Sequence, residues 1–414
     1  MTSNLAVNAQ RIAADIDALA AITEPDRPWT RRAFTPKFLE GRAWLTERFA
    51  AAGLETRIDA AGNLIGRRAG TEPGLGTIMV GSHSDTVPEG GRFDGIAGVV
   101  AGLELARALA DGGVALRHDL EVVDFLAEEV SIFGVSCVGS RGLCGLRPAQ
   151  WLDRRVDELT LAQGIAEVGG DPGVLAPRTD IAAFLELHIE QGPVLEDEGI
   201  DVGVVTAIAG ITRIEIIVTG QADHAGTTPM DLRRDALTTA ARLVLDVEAL
   251  AQDYARGPGH FTATVGEFAM EPNAANVVPA HVRLLIDARA EDRAQMEQFL
   301  AHLVDVAARR GAEGRASVGT PVVISDNLPA PSDGLIMAAL DASCATVGAS
   351  HRRMASGAGH DTAWMTRITR AGMIFVPCQG GRSHAPEEFA ETQDIALGTA
   401  VLLNAVQRLD KELD

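Results

Sequence analysis

Six polar residues fall where the sequence could do chemistry. His83 closes an apolar run in GSHSD, and Asp94 sits in the glycine-flanked turn GGRFDGIAG just before a helix. Glu128 and Glu129 end the run FLAEE, His188 lies near the end of AAFLELHIEQG, and His384 follows an apolar run in GGRSHAP. Three imidazoles with several carboxylates and no thiolate suit borderline divalent metals such as zinc, manganese, cobalt or nickel. Each residue has a plainer reading when taken alone. A histidine at a strand end is commonly a hydrogen-bonded structural residue, paired glutamates a solvated terminus, and a glycine-rich segment simply a turn.

The elements around these residues must bring them together. Residues 76–82 read as a short apolar strand and 96–110 as a helix; 120–129, 182–190 and 372–378 read as further strands, and a helix over 392–413 closes the chain. Ile12, Ile16 and Leu19 recur at helical spacing in a stretch spanning 4–22. Such alternation predicts an α/β fold, a mainly parallel mixed sheet with helices on both faces. Ligands of such sheets bind at the carboxyl ends of the strands, so these segments converge on one crevice. Residues 211–325 follow another rhythm. The strands 212–220, 261–269, 281–289 and 316–325 and the helices 232–250 and 291–311 give the order βαββαβ of a ferredoxin-like unit. The expected organisation is therefore a catalytic domain from 1–210 and 326–414, with 211–325 inserted as a lid or dimerisation domain.

Composition narrows the function. The chain has 414 residues, 46% of them hydrophobic and 22% charged, which is the composition of a globular protein. A formal charge of −21 argues against nucleic acid, whose phosphates need a basic face. No apolar run is long enough to span a bilayer, and the N-terminal stretch lacks signal-peptide character, so membrane association is not expected and a cytoplasmic location is. Cys137, Cys144, Cys344 and Cys378 form no CxxC and are expected to be reduced and buried. His118, His260, His281, His302 and His351 match no chemical motif and are read as structural or solvent-facing.

The segments HSDTVPEGGRFDGIAGVVAGLE, AEEVSIFGVSCVGSRGL, LELHIEQGPVLE, DHAGTTPM, EPNAANVVP, SGAGHD and GGRSHAPEE occur in order from about residue 40 to the C-terminus. Together they resemble the hydantoinase/carbamoylase branch of the M20 metallopeptidase-like family, with HIEQGP and HAGTTPM specific to that branch. The resemblance implies two divalent metal ions, with His83 and His188 on one, Glu129 and His384 on the other, and Asp94 bridging. It implies that Asp85 orients the His83 ring, that Glu128 is the general base, and that His224 stabilises the oxyanion. His224 lies in the inserted unit, so it must arrive by domain closure, by dimerisation, or by both. Arg289 and Asn276 match positions that bind the substrate, Gln191 one that contacts a ureido group, and Gly359 and His360 contribute to the pocket. Arg213 matches an arginine of allantoate-cleaving relatives. The family usually reads EEGSRF where this chain has EEVSIFG.

What the resemblance implies is hydrolysis of the C–N bond of an N-carbamoyl-L-amino acid or similar small anionic ureido acid, by a homodimer assembled through the inserted domain. Allantoate or ureidoglycolate is the alternative substrate. An aminoacylase or dipeptidase would lack HIEQGP, and a metal-free binding protein would have lost a ligand or Glu128.

Overall fold

The structure, a computed structural model, describes residues 5–413. Two compact units divide the chain. The first holds the residues up to Thr206 with Ser332–Met354 and those from His360 onward, and the second holds Ala207–Pro331 with Ala355–Gly359. The short piece 355–359 returns to the second unit, so Gly359 and His360, neighbours in SGAGHD, belong to different units.

In the first unit, four parallel strands form the centre: Asp119–Phe125, Thr77–His83, Ile181–Ile189 and Arg370–Val376, side by side in that order. Antiparallel strands flank them, with Leu64–Arg68 and Glu55–Ile58 at one edge and Val202–Ile208 beside Arg370–Val376 at the other. Thr77–His83 is buried throughout, as a strand covered on both faces must be. Alternate side chains feed two cores. Ile78, Val80, Val122, Leu185 and Leu187 pack under the helices Ala9–Ala21, Ile96–Asp111, Gly334–Val347 and Thr392–Glu412, while Met79, Val123, Phe125 and Phe184 pack with Leu143 and Met365 on the other face. Ile12, Ile16 and Leu19 form the buried stripe of the first helix; Asn4, where the expected stretch begins, lies outside the described residues. His118 is structural: its Nδ1 lies 3.0 Å from Asp410 Oδ1 of the closing helix.

The strand expected over 120–129 is shorter. It ends at Phe125, and Ala127 takes a left-handed φ of 54°, so Glu128 and Glu129 stand in a loop. Segment 137–139 holds that loop: the amides of Cys137, Val138 and Gly139 donate to the carbonyls of Glu128, Ala127 and Leu126.

In the second unit, the strands run antiparallel in the order Phe261–Glu271, His281–Ala290, Gly210–Thr219, with Ser317–Val318 and Val322–Asn327 both on the outer side of Gly210–Thr219. The helices Ala236–Ala255 and Arg293–Glu313 bury Leu243, Val247, Met296, Phe299 and Leu303 against the alternating inward residues of this sheet. The last strand, expected as one run over 316–325, is two. Between them lies Pro321, which has no N–H to give the ladder. Among the described residues, no helix is long and apolar enough to cross a membrane.

Candidate metal centre

The strand register brings the chemistry to one end of the first unit's sheet. His83 pairs with Phe125 and His188 with Phe375, so His83, the Glu128–Glu129 loop, His188 and the loop leading to His384 all leave from the carboxyl ends of the parallel strands. Two groups of ligand atoms result, each spanning no more than 4.8 Å: His83, Asp94 and His188, and Asp94, Glu129 and His384. Asp94 belongs to both. Its Oδ1 lies 3.4 Å from His83 Nε2 and 3.2 Å from His188 Nε2, and its Oδ2 lies 3.2 Å from His384 Nε2. His384 Nε2 is also 3.1 Å from Glu129 Oε1. His83, His188, Asp94 and Glu129 are buried, whereas His384 is exposed and has a left-handed φ of 54°.

Local structure explains the placement. Asp94 immediately precedes Gly95 and the helix Ile96–Asp111, whose dipole favours a negative charge at its start. Gly95 has φ 66°, and a Cβ there would lie 2.4 Å from the His83 ring, so this turn and this histidine fit together only around glycine.

The imidazoles are oriented by backbone. His83 Nδ1 lies 3.0 Å from the carbonyl of Asp85, and His188 Nδ1 2.9 Å from that of Ile189. With their protons on Nδ1, both rings bring Nε2 beside Asp94 Oδ1, where that of His188 also accepts from the Gly95 amide at 3.0 Å; the meeting of nitrogen and carboxylate acceptors is one that a cation makes favourable. The donor set therefore fits divalent metal. Without metal, protons supply that charge. Burial opposes ionisation of Asp94, but hydrogen bonds from His188, His384 and His83 outweigh it and hold the carboxyl well below the usual range. Asp94 and Glu129 push His384 up to about 11.

Asp85 faces the His83 ring as expected, with its carbonyl 3.0 Å and its side-chain Oδ1 3.6 Å from His83 Nδ1. Its carboxylate also accepts from the amides of Glu128 at 3.2 Å and Glu129 at 3.3 Å, beside the left-handed turn at Ala127. Glu128 Oε2 lies 3.7 Å from His83 Nε2 and belongs to neither ligand group. Its side chain is only 11% exposed, and burial pushes its carboxyl well above the usual range.

The remaining expected residues are distributed as follows. The Gln191 amide nitrogen donates to Asp94 Oδ2 at 2.7 Å and to Ser383 Oγ at 3.2 Å, leaving Oε1 buried without a partner. The buried His360 ring packs edge-on against His188 at 4.6 Å, and burial holds its pKa well below the ordinary histidine value. His224, Asn276, Arg213, Arg289 and Gly359 belong to the second unit. There the Gly226 amide donates to His224 Nδ1 at 3.0 Å, and the Ala225 amide to the Asn276 carbonyl at 3.0 Å. Arg289 Nε donates to Asp287 Oδ1 at 2.8 Å and its Nη1 to the Gly357 carbonyl at 2.7 Å, while Arg213 Nε stands 3.5 Å from Asp287 Oδ2.

Other residues at this centre carry little signal in the sequence pattern. All four cysteines are free and buried, and the thiol of Cys137 donates to Glu128 Oε1 at 3.5 Å. Glu186 accepts from Ser82 Oγ at 2.6 Å and Thr362 Oγ1 at 2.6 Å, tying the His83 strand to the segment after His360. The buried Glu388 accepts from the amides of Phe93 and Asp94. Its place in SHAPEE, four residues after His384, was the available signal.

A parallel-stranded α/β unit with imidazole and carboxylate groups gathered at its strand ends is the framework of a metal-dependent hydrolase. The model of Peptidase family M20/M25/M40 matches residues 79–408, and the chain belongs to this family, whose hydrolases use divalent metals. It is 39% identical to an N-carbamoyl-L-amino-acid amidohydrolase of Paenarthrobacter aurescens, over 97% of this chain and 98% of that one. It is 36% identical to a ureidoglycolate hydrolase of Arabidopsis thaliana, over 99% and 88% of the two chains. A crystal structure of an amidase of the hydantoinase/carbamoylase family from Burkholderia multivorans superposes with a TM-score of 0.92 at 36% identity, covering 98% of each chain.

Proposed function

We propose that the chain hydrolyses the ureido C–N bond of an N-carbamoyl-L-amino acid or a close ureido acid, with two divalent metal ions drawn from zinc, manganese, cobalt or nickel. One observation carries the reading: two ligand groups share Asp94, and a largely buried carboxyl outside both groups, Glu128, stands 3.7 Å from His83. His83, His188 and Asp94 would hold one ion, and Asp94, Glu129 and His384 the other. When bound, such a pair activates water and polarises a carbonyl.

The chain's own groups do the rest. Glu128 takes the proton of the attacking water and delivers it to the departing nitrogen. Asp85 fixes the Glu128–Glu129 loop through its two amide hydrogen bonds. His224 serves as oxyanion donor: because its Nδ1 accepts from Gly226, the neutral ring carries its proton on Nε2. Arg213 and Arg289 share the single carboxylate of Asp287, which leaves the trio one net positive charge, suited to one substrate carboxylate. Asn276 binds beside it, and Gly359 and His360 complete the pocket. Gln191 uses its unpartnered Oε1 to accept from the ureido nitrogen. A homodimer formed through the second unit and a cytoplasmic location belong to the same reading. Arg213, which matches an arginine of allantoate-cleaving relatives, makes allantoate or ureidoglycolate the alternative substrate.

The test is a panel of N-carbamoyl-L-amino acids, N-carbamoyl-β-alanine, allantoate and ureidoglycolate, assayed for ammonia and for free amine with and without a chelator. The expected result is chelator-sensitive release of an L-amino acid and ammonia. Absence of metal-dependent ammonia release from every member would overturn the reading.

A further inference from the structure

We propose that Glu388 is a positioning residue which, through Ser383, sets the Oδ2 side of Asp94 and so supports the second metal position, that of Glu129 and His384, more than the first. The inference rests on the metal-centre reading above and goes beyond it, since Glu388 and Ser383 are in neither ligand group.

The geometry begins at the backbone. Glu388 Oε1 accepts from the amides of Phe93 at 2.9 Å and Asp94 at 3.0 Å, so one buried carboxyl oxygen holds the turn that carries Asp94. Gly91 makes room for it; a Cβ at that position would lie 1.8 Å from Glu388 Oε1. The other oxygen, Oε2, is 2.7 Å from Ser383 Oγ, and the same hydroxyl is 2.9 Å from Asp94 Oδ2. Glu388 thus grips the main chain of Asp94 with one oxygen and reaches its side chain with the other. Ser383 directly precedes His384, which is held at a left-handed φ of 54°, and the Glu388 amide closes the turn on the Ala385 carbonyl at 3.0 Å. Segment 383–388 is therefore a clamp between two ligands that lie nearly 300 residues apart in sequence.

The two oxygens of Asp94 divide the consequences. Oδ1 faces His83 and His188, whose rings are anchored by the carbonyls of Asp85 and Ile189. Oδ2 faces His384, and its remaining contacts are Ser383 and Gln191. Loss of the clamp leaves Oδ2 to Gln191 alone and loosens His384 with it, while the anchored histidines stay in place. Partners of this kind typically contribute roughly 10- to 100-fold in metal affinity.

The experiment is titration of the metal-free, full-length protein with Co²⁺, followed by visible absorption and by competition with a chelator. Wild type is expected to take up two equivalents. Glu388→Ala is expected to bind the first as wild type does and the second roughly 10- to 100-fold more weakly. Ser383→Ala, which removes a single hydroxyl and leaves the buried carboxyl in place, is expected to weaken the same equivalent to a smaller extent. Glu388→Gln keeps an acceptor for the two amides and a polar group for Ser383, and is expected to retain both equivalents. Equal weakening of both equivalents in Glu388→Ala and Ser383→Ala, or wild-type binding in both, overturns the inference. So does a Glu388→Gln loss as large as that of alanine. A wild-type protein that binds no Co²⁺ overturns the metal-centre reading instead.

Discussion

Replacing Glu128 with glutamine separates catalysis from metal binding. The side chain is 11% exposed, receives the Cys137 thiol on Oε1 at 3.5 Å, and has its own amide and carbonyl tied to Asp85 and to the Cys137 amide. A glutamine of the same length occupies that position without disturbing the loop, and Glu129 keeps its orientation toward His384. What disappears is an oxygen able to accept and return a proton. Positioned general bases contribute about 10²- to 10⁴-fold, which at about 1.4 kcal/mol per decade is roughly 3 to 5 kcal/mol of barrier. Glu128→Gln is therefore expected to lose that factor in kcat with bound metal at the wild-type level. The assay is steady-state turnover on the best substrate of the panel, with metal measured on the same sample. Turnover near wild type at full metal content refutes the base assignment, and loss of a metal equivalent would make Glu128 a ligand instead.

Three further outcomes concern the buried Arg42–Asp124 pair and His384. Arg42 Nε pairs with Asp124 Oδ2 at 2.5 Å with both side chains almost fully buried, so Arg42→Leu strands a buried carboxylate; a loss of about 3–5 kcal/mol in urea unfolding is expected, and one below about 1 kcal/mol contradicts it. In the metal-free protein Asp94 and Glu129 raise His384 from 6.5 to about 11, so the ring is protonated at neutral pH and must release that proton to bind metal. Metal affinity should therefore rise with pH, with proton release measured by calorimetry in buffers of different ionisation enthalpy. The same raised pKa stabilises the metal-free fold fully below about 6.5 and is lost as pH rises toward 11.

Much of the first unit is legible in sequence. Short apolar-rich runs such as 76–82 and 372–378, too short for helices and rich in strand-forming residues, read as buried strands, and the spacing of Ile12, Ile16 and Leu19 reads as a helix with one buried stripe. Boundaries fail where backbone conformation departs from propensity. Nothing in LEVVDFLAEE signals that Ala127 turns left-handed, and ASVGTPVVIS reads as one strand until Pro321 is recognised as a break in the ladder. Glu388 is not legible as a functional residue, because a carboxylate that accepts backbone amides leaves no spacing signature. Asp85 faces His83 as its place in His-Ser-Asp suggests, but its two hydrogen bonds from the Glu128 and Glu129 amides have no signature in the spacing.

The sequence by itself determined which side chains can bind metal, since imidazole and carboxylate chemistry belongs to residue type, and it determined the strands whose ends carry them. Only the tertiary structure decided how they divide. The sharing of Asp94 between two ligand groups, the neutral side turned by each imidazole, and the Glu388–Ser383 clamp all depend on distances between segments up to about 300 residues apart. Those distances are set by strand register and by the close approach at Gly95 and Gly91, which no local pattern encodes.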